Sequence, residues 1–241
     1  MLGKCFKYEL KSYARLLLPV FAVIVISGIG IIIFKESAFF VDLGLEVMST
    51  MVFIPMLVIA CVCGFIICFV QAPARYYSTM LSKEAYLVRT LPVQPYTYFL
   101  GIMLNAALWF ILTAAISIAA VLGIPFTMRS LSELIEEINF LDILSAMIAF
   151  IYGQMLVILG LTFGSNIGKG KKLINALFIY LSFQVFGTIS AIIPITGEHL
   201  YGDNWSNSNA YTYVMIGYRL AVIVAGFAFV SRCIKNNADV Y

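Results

Sequence analysis

The chain has 241 residues, of which 62% are hydrophobic and 11% charged, with a net charge of +3. A soluble domain carries roughly 45–50% apolar and about 25% charged residues, and no soluble surface could hide this excess from water. The composition therefore excludes a soluble globular domain, a disordered chain and a nucleic-acid binder, which needs a basic face, and leaves a multi-pass membrane protein.

Taken in chain order, the first predicted element is an amphipathic helix over residues 1–15. Lys4, Lys7, Lys11 and Arg15 form one stripe at helical spacing, and Leu2, Cys5, Phe6, Leu10, Tyr13 and Leu17 form the opposite one. That is the pattern of a helix lying in the membrane interface. Only Glu9 falls near the apolar side. Six apolar runs follow at 16–34, 51–70, 98–122, 143–163, 173–195 and 211–230, each close to the ~20 helical residues that cross a hydrocarbon core of ~30 Å. The runs are continuously apolar, not alternating, so they predict helices and not barrel strands. No repeat of fixed period and no long linker divides the sequence. The expected fold is an all-α integral membrane protein, one transmembrane domain over residues 1–241.

Between the second and third runs, residues 71–97 read as a helix continuing through Tyr76, Met80 and Leu81, then a second helical stretch over 84–91, stopped by Pro92 and Pro95. This exceeds the ~2–8 residues common between bundle helices, and invites either a docking role or an interfacial helix lying on lipid. Before the fourth run, Ser130-Leu-Ser-Glu133 has the form of a capping box and predicts a short helix. The loop before the sixth run is polar and holds His199, the one histidine.

Twelve of the fifteen Lys and Arg fall on one side of this topology: the four of the leader, Arg75, Lys83, Arg89, Lys169, Lys171, Lys172, Arg232 and Lys235. Lys35 and Arg129 fall on the other side, and Arg219 lies within the last run. By the positive-inside rule both termini are expected to be cytoplasmic.

Within the runs the polar residues are Asn105, Gln154, Gln184 and Arg219, with Asn175 near one end. An arginine at a helix centre costs roughly 2.5–3.5 kcal/mol on insertion scales. Arg219 should therefore face protein or a polar pathway, or else extend its side chain to the nearer interface; the sequence leaves both open. Gln184 is the second pathway candidate. Gly160, Gly164 and Gly168 recur every fourth residue, as do Gly217, Ala221 and Ala225. Small residues at this spacing let helix backbones approach closely, within one bundle or between chains.

Catalytic motifs fail on inspection. Gly164-Ser-Asn-Ile-Gly-Lys-Gly170 is one residue short of a phosphate loop, and glycine stands where the magnesium-binding Ser or Thr belongs. With His199 alone, a histidine-based zinc or nucleophile site is not expected. No aspartate lies deep in a run. The chain is thus expected to be no enzyme, and to bind no cofactor or metal of its own.

The run Glu84-Ala-Tyr-Leu-Val-Arg-Thr-Leu-Pro-Val93 resembles the "E-G-Y-L-x-x-x-L-P-V" segment that follows the second span in many bacterial permease subunits of ABC-2-type ATP-binding-cassette transporters. Ala85 stands where glycine is common. The basic amphipathic leader is similar to that family's connecting helix, and the layout matches over essentially the whole chain. The resemblance implies a plasma-membrane permease subunit of an ATP-driven exporter. It implies pairing with a second permease chain and docking of a cytoplasmic ATPase subunit that binds the ATP and Mg, with Lys83, Glu84, Tyr86, Leu87 and Arg89 as candidate docking contacts. The alternative readings are a secondary transporter and a non-transporting assembly or sensor bundle. A scarcity of membrane-buried acids weighs against proton or sodium coupling.

Overall fold

A computed structural model of the chain describes residues 2–36, 46–81, 95–123, 140–168, 172–201 and 209–238. They are helical throughout: α1 (Leu2–Glu36), α2 (Glu46–Tyr76), α3 (Pro95–Gly123), α4 (Phe140–Gly168), α5 (Lys172–Tyr201) and α6 (Asn209–Ala238). Each contains a stretch long and apolar enough to cross a membrane. The chain is a multi-pass membrane protein whose described residues form six such helices and no strand.

The helices run past the apolar stretches that predict them. Hydropathy marks the hydrocarbon, whereas a helix ends only where its backbone loses partners. The clearest case is α1, which continues unbroken from Leu2, where the sequence predicts a separate leader and a span from residue 16. Its buried side is one stripe: Glu9, Tyr13, Leu17, Phe21, Ile24 and Ile31, spaced so that it continues across Pro19. Lys7, Lys11 and Arg15 face outward. Glu9, the exception to the apolar pattern, is buried with 5% of its surface exposed.

At its other end α2 gives way to a π-helical turn, Tyr77–Leu81. There the hydroxyls of Ser78 and Thr79 donate to the Arg75 carbonyl at 3.0 and 2.7 Å. Side-chain bonds of this kind compete with the regular ladder, and a single π turn is the usual form of such a local widening.

Two compact units divide the chain: Gly3–Gln71 with Leu104–Asn139, and Met1–Leu2 with Ala72–Met103 and Phe140–Tyr241. In the second unit α4 is the central helix, packed most extensively on α5 and next on α6, while α5 and α6 touch little. Its core gathers Tyr76, Met80, Phe99, Met155, Leu156 and Ile158 with residues of α6. Phe99 meets Tyr76 edge-on at 5.4 Å and stacks on Phe227 at 5.2 Å, both favoured aromatic geometries. The Thr162 hydroxyl donates to the Ile158 carbonyl at 2.8 Å, so its one hydrogen is committed. The Tyr76 hydroxyl, 2.8 Å away, must therefore be the donor to Thr162.

Candidate functional site

The most distinctive polar feature lies in the first unit, along α3. Asn105, Trp109, Thr113 and Ser117 are all buried and recur every fourth residue, which puts them on one face of the helix. They cover about 18 Å at ~1.5 Å per residue, more than half of a ~30 Å hydrocarbon core. Thr113 is satisfied locally: its hydroxyl donates to the Trp109 carbonyl at 2.8 Å. With that hydrogen spent, Cys68 of α2 is the donor in its 3.3 Å contact with Thr113. Gly64, one turn earlier in α2, makes room for this approach. A methyl there would lie 3.1 Å from the Thr113 methyl.

The rest of the stripe is unsatisfied. Both amide atoms of Asn105, the Trp109 indole nitrogen and the Ser117 hydroxyl are buried without a hydrogen-bond partner among the described residues. Leaving such a group unpaired costs about 1–3 kcal/mol each. The Trp109 ring itself is held by Phe21 at 6.1 Å. Of the four, only Asn105 stands out in the sequence by polarity; the signal that joins the others to it is the four-residue spacing of Asn, Trp, Thr and Ser.

The residues predicted from sequence are placed as follows. Gly160 and Gly164 lie at the contact of α4 with α5. A methyl on Gly160 would sit 2.5 Å from the Ile179 Cα, and one on Gly164 2.8 Å from the Asn175 Cα. Gly168 closes α4. Gly217, Ala221 and Ala225 face outward from α6, and nothing approaches Gly217 within 4 Å. Gln184 is exposed on α5, in a stretch where no side chain is buried.

Arg219 of α6 is half-buried, and its guanidinium donates to the Ser145 hydroxyl at 3.2 Å and the Ser145 carbonyl at 3.4 Å. Beneath it the hydroxyls of Tyr152 and Tyr218 both donate to the Phe186 carbonyl, at 3.3 and 3.0 Å, and so tie α4 and α6 to α5. The structure thus brings Arg219 to α4 and leaves Gln184 apart from it. Lys83, Glu84, Tyr86, Leu87 and Arg89 lie outside the described residues, as does the capping box at 130–133.

Among the described residues no three His, Cys, Asp or Glu side chains converge. The chemistry on offer at these places is neutral hydrogen bonding along α3 and a guanidinium from α6 beside the start of α4. No family model matches the chain, and no match is found among curated proteins or solved structures.

Proposed function

We propose that the chain is the membrane-spanning permease subunit of an ATP-driven exporter of the ABC-2 type, acting with a second permease chain and a separate cytoplasmic ATPase. The observation that carries this reading is the buried, unsatisfied polar stripe of α3. A purely structural bundle would minimise such groups, because each is costly in hydrocarbon. In a transporter the same groups line a route that is closed in one state and wetted or occupied by solute in another. The stripe then supplies donors and acceptors to a moving polar solute without a fixed charge to trap it.

The partner reading rests on the 84–93 run and on the distribution of Lys and Arg, which favours cytoplasmic termini in a bacterial plasma membrane. On this reading ATP and Mg bind the partner, and the chain itself catalyses no reaction. Tyr86 and Leu87 anchor the ATPase, with Lys83, Glu84 and Arg89 as the polar rim of that contact. Co-purification in mild detergent tests it. An ATPase subunit is expected to accompany the wild-type chain, and a Tyr86→Ala, Leu87→Ala double variant should lose it at matched expression, by roughly 1–4 kcal/mol of binding. Unchanged association together with unchanged transport would remove the docking role.

A further inference from the structure

The geometry points to a binding site for an anionic membrane phospholipid on the second unit, with its phosphate at Arg219 and an acyl chain in an apolar cleft below. This rests on the chain lying in a membrane and is independent of the transport reading. The site is built from three levels along α4, α5 and α6.

The upper level is cationic. Phe163 stacks on Phe229 and Tyr152 meets Tyr218, so residues of α4 and α6 at equal height differ by 66 in number. By that register the Arg219 backbone is level with residue 153, yet its guanidinium bonds Ser145. The side chain is therefore extended along the helix toward the Phe140 end, and its 3.2 Å hydrogen bond to the Ser145 hydroxyl spans part of the remaining height. Helical side chains lean toward the helix N-terminus, which in α6 is this same end. A 29-residue helix such as α4 is about 43 Å long, and centred on a ~30 Å core it overhangs by roughly 6–7 Å at each end. Ser145 is the sixth residue of α4, so the guanidinium sits at the boundary between acyl chains and headgroups. Among the described residues no carboxylate pairs with it, and Ser145 accepts from only one of its nitrogens. The rest of the planar donor fork is suited to a phosphate.

The middle level is the collar of Tyr152, Tyr218 and the Phe186 carbonyl, neutral and polar as a lipid's ester region is. The lower level is a cleft of about 430 Å³, with aromatic walls at Phe163, Phe186 and Phe229 and a floor of small residues that includes Ala221, Ala225 and Gly226. It begins at Tyr218, the residue before Arg219, and its lining is almost wholly apolar. Its volume is in the range of ligand sites. Charge, then neutral polarity, then hydrocarbon is the order of groups along an anionic phospholipid. Nothing in the cleft would hold a second headgroup.

The test uses the full-length protein in mild detergent, with retained lipid read by native mass spectrometry. Phosphatidylglycerol and phosphatidylcholine of identical acyl chains are supplied in equal amounts. Wild type is expected to retain the anionic lipid about tenfold better, the scale of one charge-assisted hydrogen-bonded contact. Arg219→Gln should abolish the preference and Arg219→Lys should keep most of it. Ala225→Leu, which fills the cleft, should lower retention of both lipids and leave their ratio unchanged. A dihexanoyl phosphatidylglycerol, too short to fill the cleft, should be retained several-fold less. Equal retention of the two lipids by wild type overturns the site, as does an unchanged preference in folded Arg219→Gln. Ala225 is exposed on the cleft floor and apart from Arg219, so this arm decides even if Arg219→Gln fails to fold: undiminished retention by Ala225→Leu overturns the cleft.

Discussion

Two stripes of small residues with the same four-residue spacing have opposite uses in the second unit. In α4, Gly160 and Gly164 admit the backbone of α5 so closely that a single methyl would collide with main-chain atoms. In α6, Gly217, Ala221 and Ala225 are exposed, the two alanines on the floor of the apolar cleft, and no helix packs into the stripe among the described residues. A short side chain permits close approach but does not attract it. In lipid, where apolar burial between helices gains little, association comes from packing and hydrogen bonds. The α4 stripe has close packing: the backbone of Ile179 and Asn175 fills the space that the two glycines leave, while on the opposite face of α4 Thr162 is bonded to Tyr76. The α6 stripe has neither within the described chain.

Substitution of Gly160 should show the contrast at its largest. The nearest atoms to a new Cβ are the backbone nitrogen and Cα of Ile179 and the Phe178 carbonyl, none of which can rotate away. Gly160→Val must push α5 from α4, and we expect a loss of about 3 kcal/mol or more, the upper end of overpacking costs. The thermal midpoint of the purified protein in detergent checks this, and a midpoint within error of wild type would show that the helix pair tolerates separation.

A smaller effect is expected one turn away. Tyr76→Phe removes a donor from Thr162 but leaves the Thr162 bond to the Ile158 carbonyl intact. No new buried donor is orphaned, so the cost should stay near the net worth of one hydrogen bond, about 0.5–1.5 kcal/mol. The same melting experiment should rank this variant well above Gly160→Val. An equal loss would mean that the Tyr76 hydroxyl holds the end of α2 against α4 almost alone.

How much of this was legible in the sequence follows from what hydropathy measures. The six spans are plain because each needs some twenty apolar residues regardless of what surrounds it. Their ends need other signals: the helical spacing of residues 1–15 and of Tyr76, Met80 and Leu81 predicts the extensions of α1 and α2, but not that the leader and the first span form one unbroken helix from Leu2. The reason is that backbone bonding continues where the hydrocarbon stops. Facing was not legible either. Lipid-facing and core-facing positions are both apolar, so nothing in composition separates buried Phe99 and Met155 from exposed Leu104 and Ile143. Polar residues were the better guide. Asn105 was singled out and proves to belong to a buried stripe, although Trp109, Thr113 and Ser117 were missed because each is unremarkable alone. Arg219 lies within the last run by number, but where its charge sits depends on the direction of the guanidinium, which only the contact with Ser145 reveals.

The smallest effect is expected where the comparison is sharpest. Gly217 has nothing within 4 Å of the position a Cβ would take, and it lies outside the residues lining the apolar cleft. In the isolated chain Gly217→Leu therefore creates no clash and opens no cavity. It also replaces the poorer helix former, a gain of up to about 1 kcal/mol in a helix interior. The midpoint in detergent should hold or rise slightly, in contrast to the collapse expected for Gly160→Val at an identical sequence spacing. The comparison turns on what covers α6 in the assembled protein. Run in lipid bilayers at high protein density, the same variant acts as a steric probe of that face. A midpoint that holds in dilute detergent and falls in the bilayer would show that another chain approaches Gly217 as closely as α5 approaches Gly160. Equal behaviour in both settings would show that lipid alone meets the stripe at Gly217, and that no second chain packs there.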